Sequence, residues 1–135
     1  MWTPTTTAIT ITTLNASANV NTVNYNRSGA QTVKPTAYHH LTLSGTSAKT
    51  MTSVTAIGGD LAISGTASVT LTASTPLSIG RLNQTAGTLV DSGNTITVTG
   101  TGPSTWTKSA GTFTATTTGT VIFTGAAPEI GASNF

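Results

Sequence analysis

The sequence predicts an all-β fold, and within that class a β-solenoid with coils of about twenty residues. Three observations predict it. Short runs of Val, Ile and Leu alternate with Thr and Ser along the whole chain, each closed by Gly, Asn or Pro. No window has helical periodicity. And "LTLSGT" (41–46) recurs as "LAISGT" (61–66), twenty residues later. A β-sandwich is the alternative, because short strands with regular turn signals fit it as well.

The strand candidates follow in order. "TAITIT" (7–12) alternates cleanly, and "VNTVNYN" (20–26) ends at a polar turn. "HLTLSG" (40–45), "TSVTAI" (52–57), "DLAISG" (60–65) and "SVTLTA" (68–73) are separated by Gly, Ser and Asp turn residues. "PLSIG" (76–80), "GTLVDS" (87–92), "NTITVTG" (94–100), "STWTKS" (104–109), "GTFTAT" (111–116) and "GTVIFTG" (119–125) complete the series. Period-two alternation sends Leu41, Leu43, Leu61, Ile63, Val69, Leu71, Ile96, Val98 and Phe113 inward and the hydroxyl residues outward. "SVTLTA" matches "GTLVDS" at a spacing of nineteen.

A longer echo sets the expected organisation. "TVNYNRSGAQTV" (22–33) returns as "TVIFTGAAPEI" (120–130), 98 residues on, aligning Tyr25 with Phe123 and Tyr38 with Phe135. The expectation is a single domain over 1–135. Residues 1–20 form a terminal or linking segment, and 21–135 a repeat unit plus the start of the next. Ends that match in register stack head to tail, and such a heterologous contact generates an open filament. The self-assembly residues expected on this basis are Trp2, Tyr25, Tyr38, Val121, Phe123 and Phe135. The partner expected is the chain itself.

Composition narrows the function classes. Of 135 residues only 6% are charged, with three acids, five Lys or Arg and no cysteine. Solubility therefore rests on hydroxyls and amides, which points to an extracellular or cell-surface setting. Arg27, Lys34, Lys49, Arg81 and Lys108 are scattered singly, so no basic patch suggests nucleic acid. No apolar run reaches membrane-span length. The chain carries no secretion-leader pattern, so an exported protein would carry it elsewhere.

Chemistry-bearing constellations are few. His39 and His40 are neighbours that a strand would send to opposite faces, and no further His or Cys completes a metal site. Asp60 and Asp91 would have to meet for glycoside hydrolysis, yet both read as turn residues. No Gly-x-Ser-x-Gly elbow supports a serine nucleophile. The expectation is a non-enzyme without cofactor or metal. Thr-x-Thr triplets raise ice binding as an alternative surface function, but on the sequence they do not recur at one coil position. The aromatics suggest either internal stacks or a sugar platform, which keeps carbohydrate in the same alternative. Asn15-Ala-Ser17, Asn26-Arg-Ser28 and Asn83-Gln-Thr85 fit the glycan acceptor pattern, so glycans are possible partners.

At "YHHLTLSGT" (38–46), "GGDLAISGT" (58–66), "GNTITVTGT" (93–101) and "GTFTATTTGTVIFTG" (111–125) the chain resembles the Thr/Gly-rich tandem β-solenoid repeats of large secreted bacterial surface proteins. The resemblance covers roughly residues 20–135 and follows motif order. It implies an adhesin-like stalk or surface fibre with no catalytic residues. The chain departs from the pattern at His39-His40, where Asn is usual.

Overall fold

A computed structural model describes residues 12–71 and 75–133, with side chains described for all of these but 71, 132 and 133. Among them, thirteen strands and no helix occur. They are β1 (Thr22–Tyr25), β2 (Gln31–Thr32), β3 (His40–Leu43), β4 (Ala48–Met51), β5 (Ala56–Ile63), β6 (Ser68–Leu71) and β7 (Leu77–Gln84). The series ends with β8 (Thr88–Val90), β9 (Thr95–Val98), β10 (Trp106–Lys108), β11 (Thr112–Thr114), β12 (Thr120–Phe123) and β13 (Ile130–Ser133).

Every strand pair is parallel, and the chain winds as a three-faced solenoid of about five turns. The first face carries, rung by rung, Ala16, Tyr38, Ile57, Ile79, Val98 and Phe123. The second carries Val23, Leu41, Leu61, Leu82, Trp106 and Ile130. The third carries Gln31, Lys49, Val69, Leu89 and Phe113. These three columns point inward, and most of their members are fully buried. A single coil has nothing to pack its apolar side against. Stacking gives each inward side chain two axial neighbours and joins them into one core.

The corners explain how so few residues turn the chain. Between the second and third faces, Gly45 and Gly65 both have positive φ (74° and 65°). They occupy the same place in successive coils, and Thr66 N–H donates to Gly45 O at 2.9 Å. A Cβ on Gly65 would lie 2.6 Å from the Gly45 carbonyl oxygen, so only glycine fits there. Between the first and second faces β5 and β7 bend without breaking, and the β5–β7 register shifts between Ile57 and Asp60.

The twenty-residue repeat is the coil itself, since Leu41 pairs with Leu61 and Leu43 with Ile63. Other details differ from the sequence reading. Val69 pairs with Leu89, a spacing of twenty rather than nineteen. A one-residue slip would have turned that strand inside out. Coil length runs from 18 residues (Gln31 to Lys49) to 25 (Val98 to Phe123). "TSVTAI" and "DLAISG" are not two strands, because β5 runs through Gly58-Gly59 as one. "TAITIT" lies mostly outside the described residues. The 98-residue echo is not a coil equivalence: Tyr25 is on the second face beside Leu43, Phe123 on the first beside Val98.

Candidate functional site

Among the described residues the core is closed along its sides, and its partly buried members lie at its ends. Six hydrophobic side chains pack against it while only partly buried, three at each end: Leu14, Val23 and Tyr25, then Phe113, Val121 and Phe123. At the C-terminal end Trp106, Phe113, Val121, Phe123 and Ile130 line an apolar cavity of about 110 Å³. Trp106 forms its floor, edge-on to Phe113 (5.3 Å, 83°) and to Phe123 (6.2 Å, 67°). Ile130 on its rim is 53% exposed. Val121 and Phe123, expected at the assembly surface, thus do lie at an end.

Tyr25 belongs to the opposite end. Its hydroxyl accepts the Lys34 N–H at 3.0 Å and lies 3.3 Å from the Tyr38 hydroxyl. Tyr38 O–H in turn donates to Lys34 O at 2.7 Å, so Tyr25 supplies the proton between the two rings. Tyr38, also expected at the assembly surface, lies deeper. It sits one rung inside the end, 1% exposed, between Ala16 and Ile57, and lines no outer surface. Burial with Tyr25 alongside raises its pKa above the usual tyrosine range, so it stays a neutral donor. Trp2 and Phe135 lie outside the described residues.

The outer surface of the third face carries two columns of small, mostly hydroxyl-bearing side chains. On the third face Thr32, Thr50, Thr70, Val90 and Thr114 stack in one outward column. Ala48, Ser68, Thr88 and Thr112 stack in a second. Only Thr112-Phe113-Thr114 is a Thr-x-Thr triplet on this face; Thr95-Ile96-Thr97 lies on the first face and Thr105-Trp106-Thr107 on the second, so the triplets do not recur at one coil position, as the sequence indicated. The columns themselves are hidden in the sequence because the coils differ in length and because "AKT", "SVT" and "TLV" do not look alike as text. Parallel ladders space such side chains about 4.8 Å between rungs and about 6.6 Å along each strand. No charged side chain points outward from either column, because Lys49 is inward and buried.

The charged groups have structural surroundings. Lys49 Nζ donates to Arg27 O (2.8 Å), Gly29 O (3.1 Å) and Thr46 O (2.9 Å). Burial, and then the Arg27 charge, lower its pKa from the ordinary 10.5. Its place inside was legible only through the alternation Lys49-Thr50-Met51. Asp91 is buried on a turn, as expected, and its Oδ1 accepts Gly93 N–H at 3.0 Å. Burial alone would raise its pKa, but hydrogen bonds from Gly93 and Thr116 outweigh it and bring the carboxyl below 3.8.

Asp60 is not the turn residue expected. It stands on β5, on the second face, paired in register with Arg81. Asp60 and Asp91 therefore lie on different faces and cannot act as a catalytic pair. The two histidines are not on opposite faces either. They straddle a bend, so their rings meet edge to face at 4.5 Å. His40 Nδ1 accepts the Asp60 N–H at 2.9 Å and lies 3.7 Å from its carboxylate. Among the described residues, no three His, Cys, Asp or Glu side chains gather as a metal site.

A shallow polar groove of about 210 Å³ runs beside Asp60, Arg81, Asn83, Ser104 and Thr107. No aromatic ring lines it, and the described aromatics sit in or against the core. Asn15, Asn26 and Asn83, the glycan acceptor positions, are all exposed. No helix among the described residues is long and apolar enough to cross a membrane. Compared with protein-family models, with curated proteins and with solved structures, the chain has no significant match, so its fold and surfaces carry the functional reading alone.

Proposed function

We propose that this domain is a non-catalytic structural segment of an extracellular filament or adhesin-like stalk, extended end to end through its open coil ends. The observation that carries this reading is the placement of the partly buried hydrophobics. They cluster at the two ends, where a further coil would cover them, rather than along the sides. Among the described residues the edge strands at each end pair on one side only, which leaves main-chain groups for an adjoining coil. A surface solvated by hydroxyls rather than charge supports an extracellular place. Electron microscopy of the native material tests the reading. Filaments with a regular axial repeat are the expected result, and discrete monodisperse particles overturn it.

The threonine columns of the third face favour a second reading, a surface module that binds ice. Threonine is stiff at χ1, so a ladder of them presents methyl and hydroxyl groups in fixed rows. An ordered, charge-free array of this kind suits a lattice of water better than it suits a protein. Protein interface cores are rich in aromatics and arginine, and these columns have neither.

A further inference from the structure

Asp60 and Arg81 are ladder neighbours that turn away from each other. They pair in register on adjacent rungs of the second face, about 4.8 Å apart along the axis. Opposite charges so placed would ordinarily meet. Among the described residues no ion pair joins them. The Asp60 carboxylate leans toward the preceding rung, 3.7 Å from His40 Nδ1. Arg81 Nη2 reaches toward the following one, 3.5 Å from Thr101 O. A carboxylate and a guanidinium therefore stand beside the same groove, and neither satisfies the other.

The rest of the groove is neutral and polar. Asn83 comes from the same strand as Arg81, and Ser104 and Thr107 from the next coil. The Thr107 hydroxyl makes a long contact, 3.5 Å to Ser104 O. Gly131 on β13 leaves both hydroxyls uncovered. A Cβ there would lie 2.8 Å from Thr107 Oγ1 and 3.0 Å from Ser104 Oγ, so any side chain would press on them. The volume of about 210 Å³ falls below the ~300–1,000 Å³ of sites for drug-sized ligands, so the groove suits one small ring.

The chemistry of the lining selects the ligand class. Its two charges cancel, so a net charge on the ligand gains nothing. An ionised carboxylate only accepts and a guanidinium only donates, whereas hydroxyls and the Asn83 amide do both. A ligand that meets all five must offer donors and acceptors all around its edge. Sugar hydroxyls do this. A zwitterionic amino acid keeps its donors and its acceptors at separate ends and leaves the neutral groups unmatched. We propose that this groove binds one neutral sugar ring, with Asp60 accepting from its hydroxyls, Arg81 donating to them, and Asn83, Ser104 and Thr107 holding the remainder. The site lies on a side of the solenoid, so it does not depend on how the ends are joined. With no aromatic ring to stack on, affinity rests on hydrogen bonds exchanged with water, which places Kd in the millimolar range.

Amide NMR of the full chain tests this, with titration by the methyl glycosides of glucose, galactose and mannose and, separately, by glycine. At least one glycoside should move the resonances of Asp60, Arg81, Asn83, Ser104 and Thr107 in a saturable way, and glycine should leave them in place. Arg81→Gln should weaken that binding about tenfold, through loss of a charged donor. Asn83→Tyr fills the groove and should abolish it, as should Gly131→Val by covering the two hydroxyls. Circular dichroism checks that each variant is folded, and Asn83→Tyr, altered at an exposed position, keeps the test open if Gly131→Val is not. Absence of any shift with all three glycosides overturns the proposal. So do shifts with glycine alone, which make the groove a zwitterion site, and glycoside shifts that persist unchanged in Asn83→Tyr.

Discussion

The Asp91 carboxylate reaches across one rung to hold Thr116, accepting its N–H (3.0 Å to Oδ1) and its hydroxyl (2.8 Å to Oδ1). The two residues are 25 positions apart and belong to successive coils. The turn at Asp91 therefore ties one coil to the next with charge-assisted bonds, which are stronger than neutral ones. Gly119 backs the same carboxylate so closely that no side chain would fit there.

Acid should loosen this tie. The folded-state pKa of Asp91 is depressed, so its contribution is present above the unfolded value near 3.8 and is lost as pH falls through the folded value. Unfolding measured from pH 6 down to pH 2 should show stability falling over the acid limb. Asp91→Asn should lower stability at neutral pH by about 2 kcal/mol and flatten that limb.

Lys49 carries the opposite sign. Its folded pKa lies below 10.5, so between the two values the unfolded chain binds the proton more tightly. Stability should therefore rise as pH climbs through the alkaline range. Lys49→Met should abolish this rise. It should also cost about 2–4 kcal/mol at neutral pH, because three carbonyl oxygens lose their shared donor. Denaturant titrations of both proteins at pH 7 and pH 10 check each half.

The corner glycines separate backbone strain from crowding. Gly102 has a positive φ of 79°, yet no atom lies within 4 Å of where a Cβ would stand, whereas a Cβ on Gly65 meets the Gly45 carbonyl. Gly102→Ala should cost about 1 kcal/mol, the conformational penalty alone. Gly65→Ala should cost clearly more, and the excess in a chemical denaturation experiment reports the close approach of the coils.

The third face can be probed without touching the core. Thr70→Tyr projects a bulky ring from the middle of the threonine column, while Asn83→Tyr does the same on the second face. If the columns order water, the unaltered domain slows ice growth, Thr70→Tyr loses the effect and Asn83→Tyr keeps it. Equal behaviour of the two variants would sink the ice reading.

Much of the architecture was legible because strand alternation and coil stacking are both written in single-residue periods. Leu41 over Leu61 and the Ser-Gly corner after each follow directly from the repeated text. What escaped was whatever depends on which residues share a column. Coils of 18 to 25 residues hide the threonine columns, and they make Tyr25 and Phe123 look equivalent when they occupy different faces. Tyr38 was assigned to the assembly surface because the 98-residue echo aligned it with Phe135. Its burial depends on Ala16, a residue whose small size leaves no mark on a hydrophobic pattern.

The direction of the ladder bonds has a mechanical consequence. Gly58 N–H to Tyr38 O and Gly100 N–H to Gly80 O run along the axis, so tension on the two ends pulls on these bonds directly. A coil at the end peels before one in the middle, because it has a neighbour on one side only. Each coil of about 20 residues that peels frees about 70 Å of chain while shortening the folded rod by about 5 Å. Under load such a rod would lengthen in steps and absorb work, and would rewind from the remaining coils when the load is released.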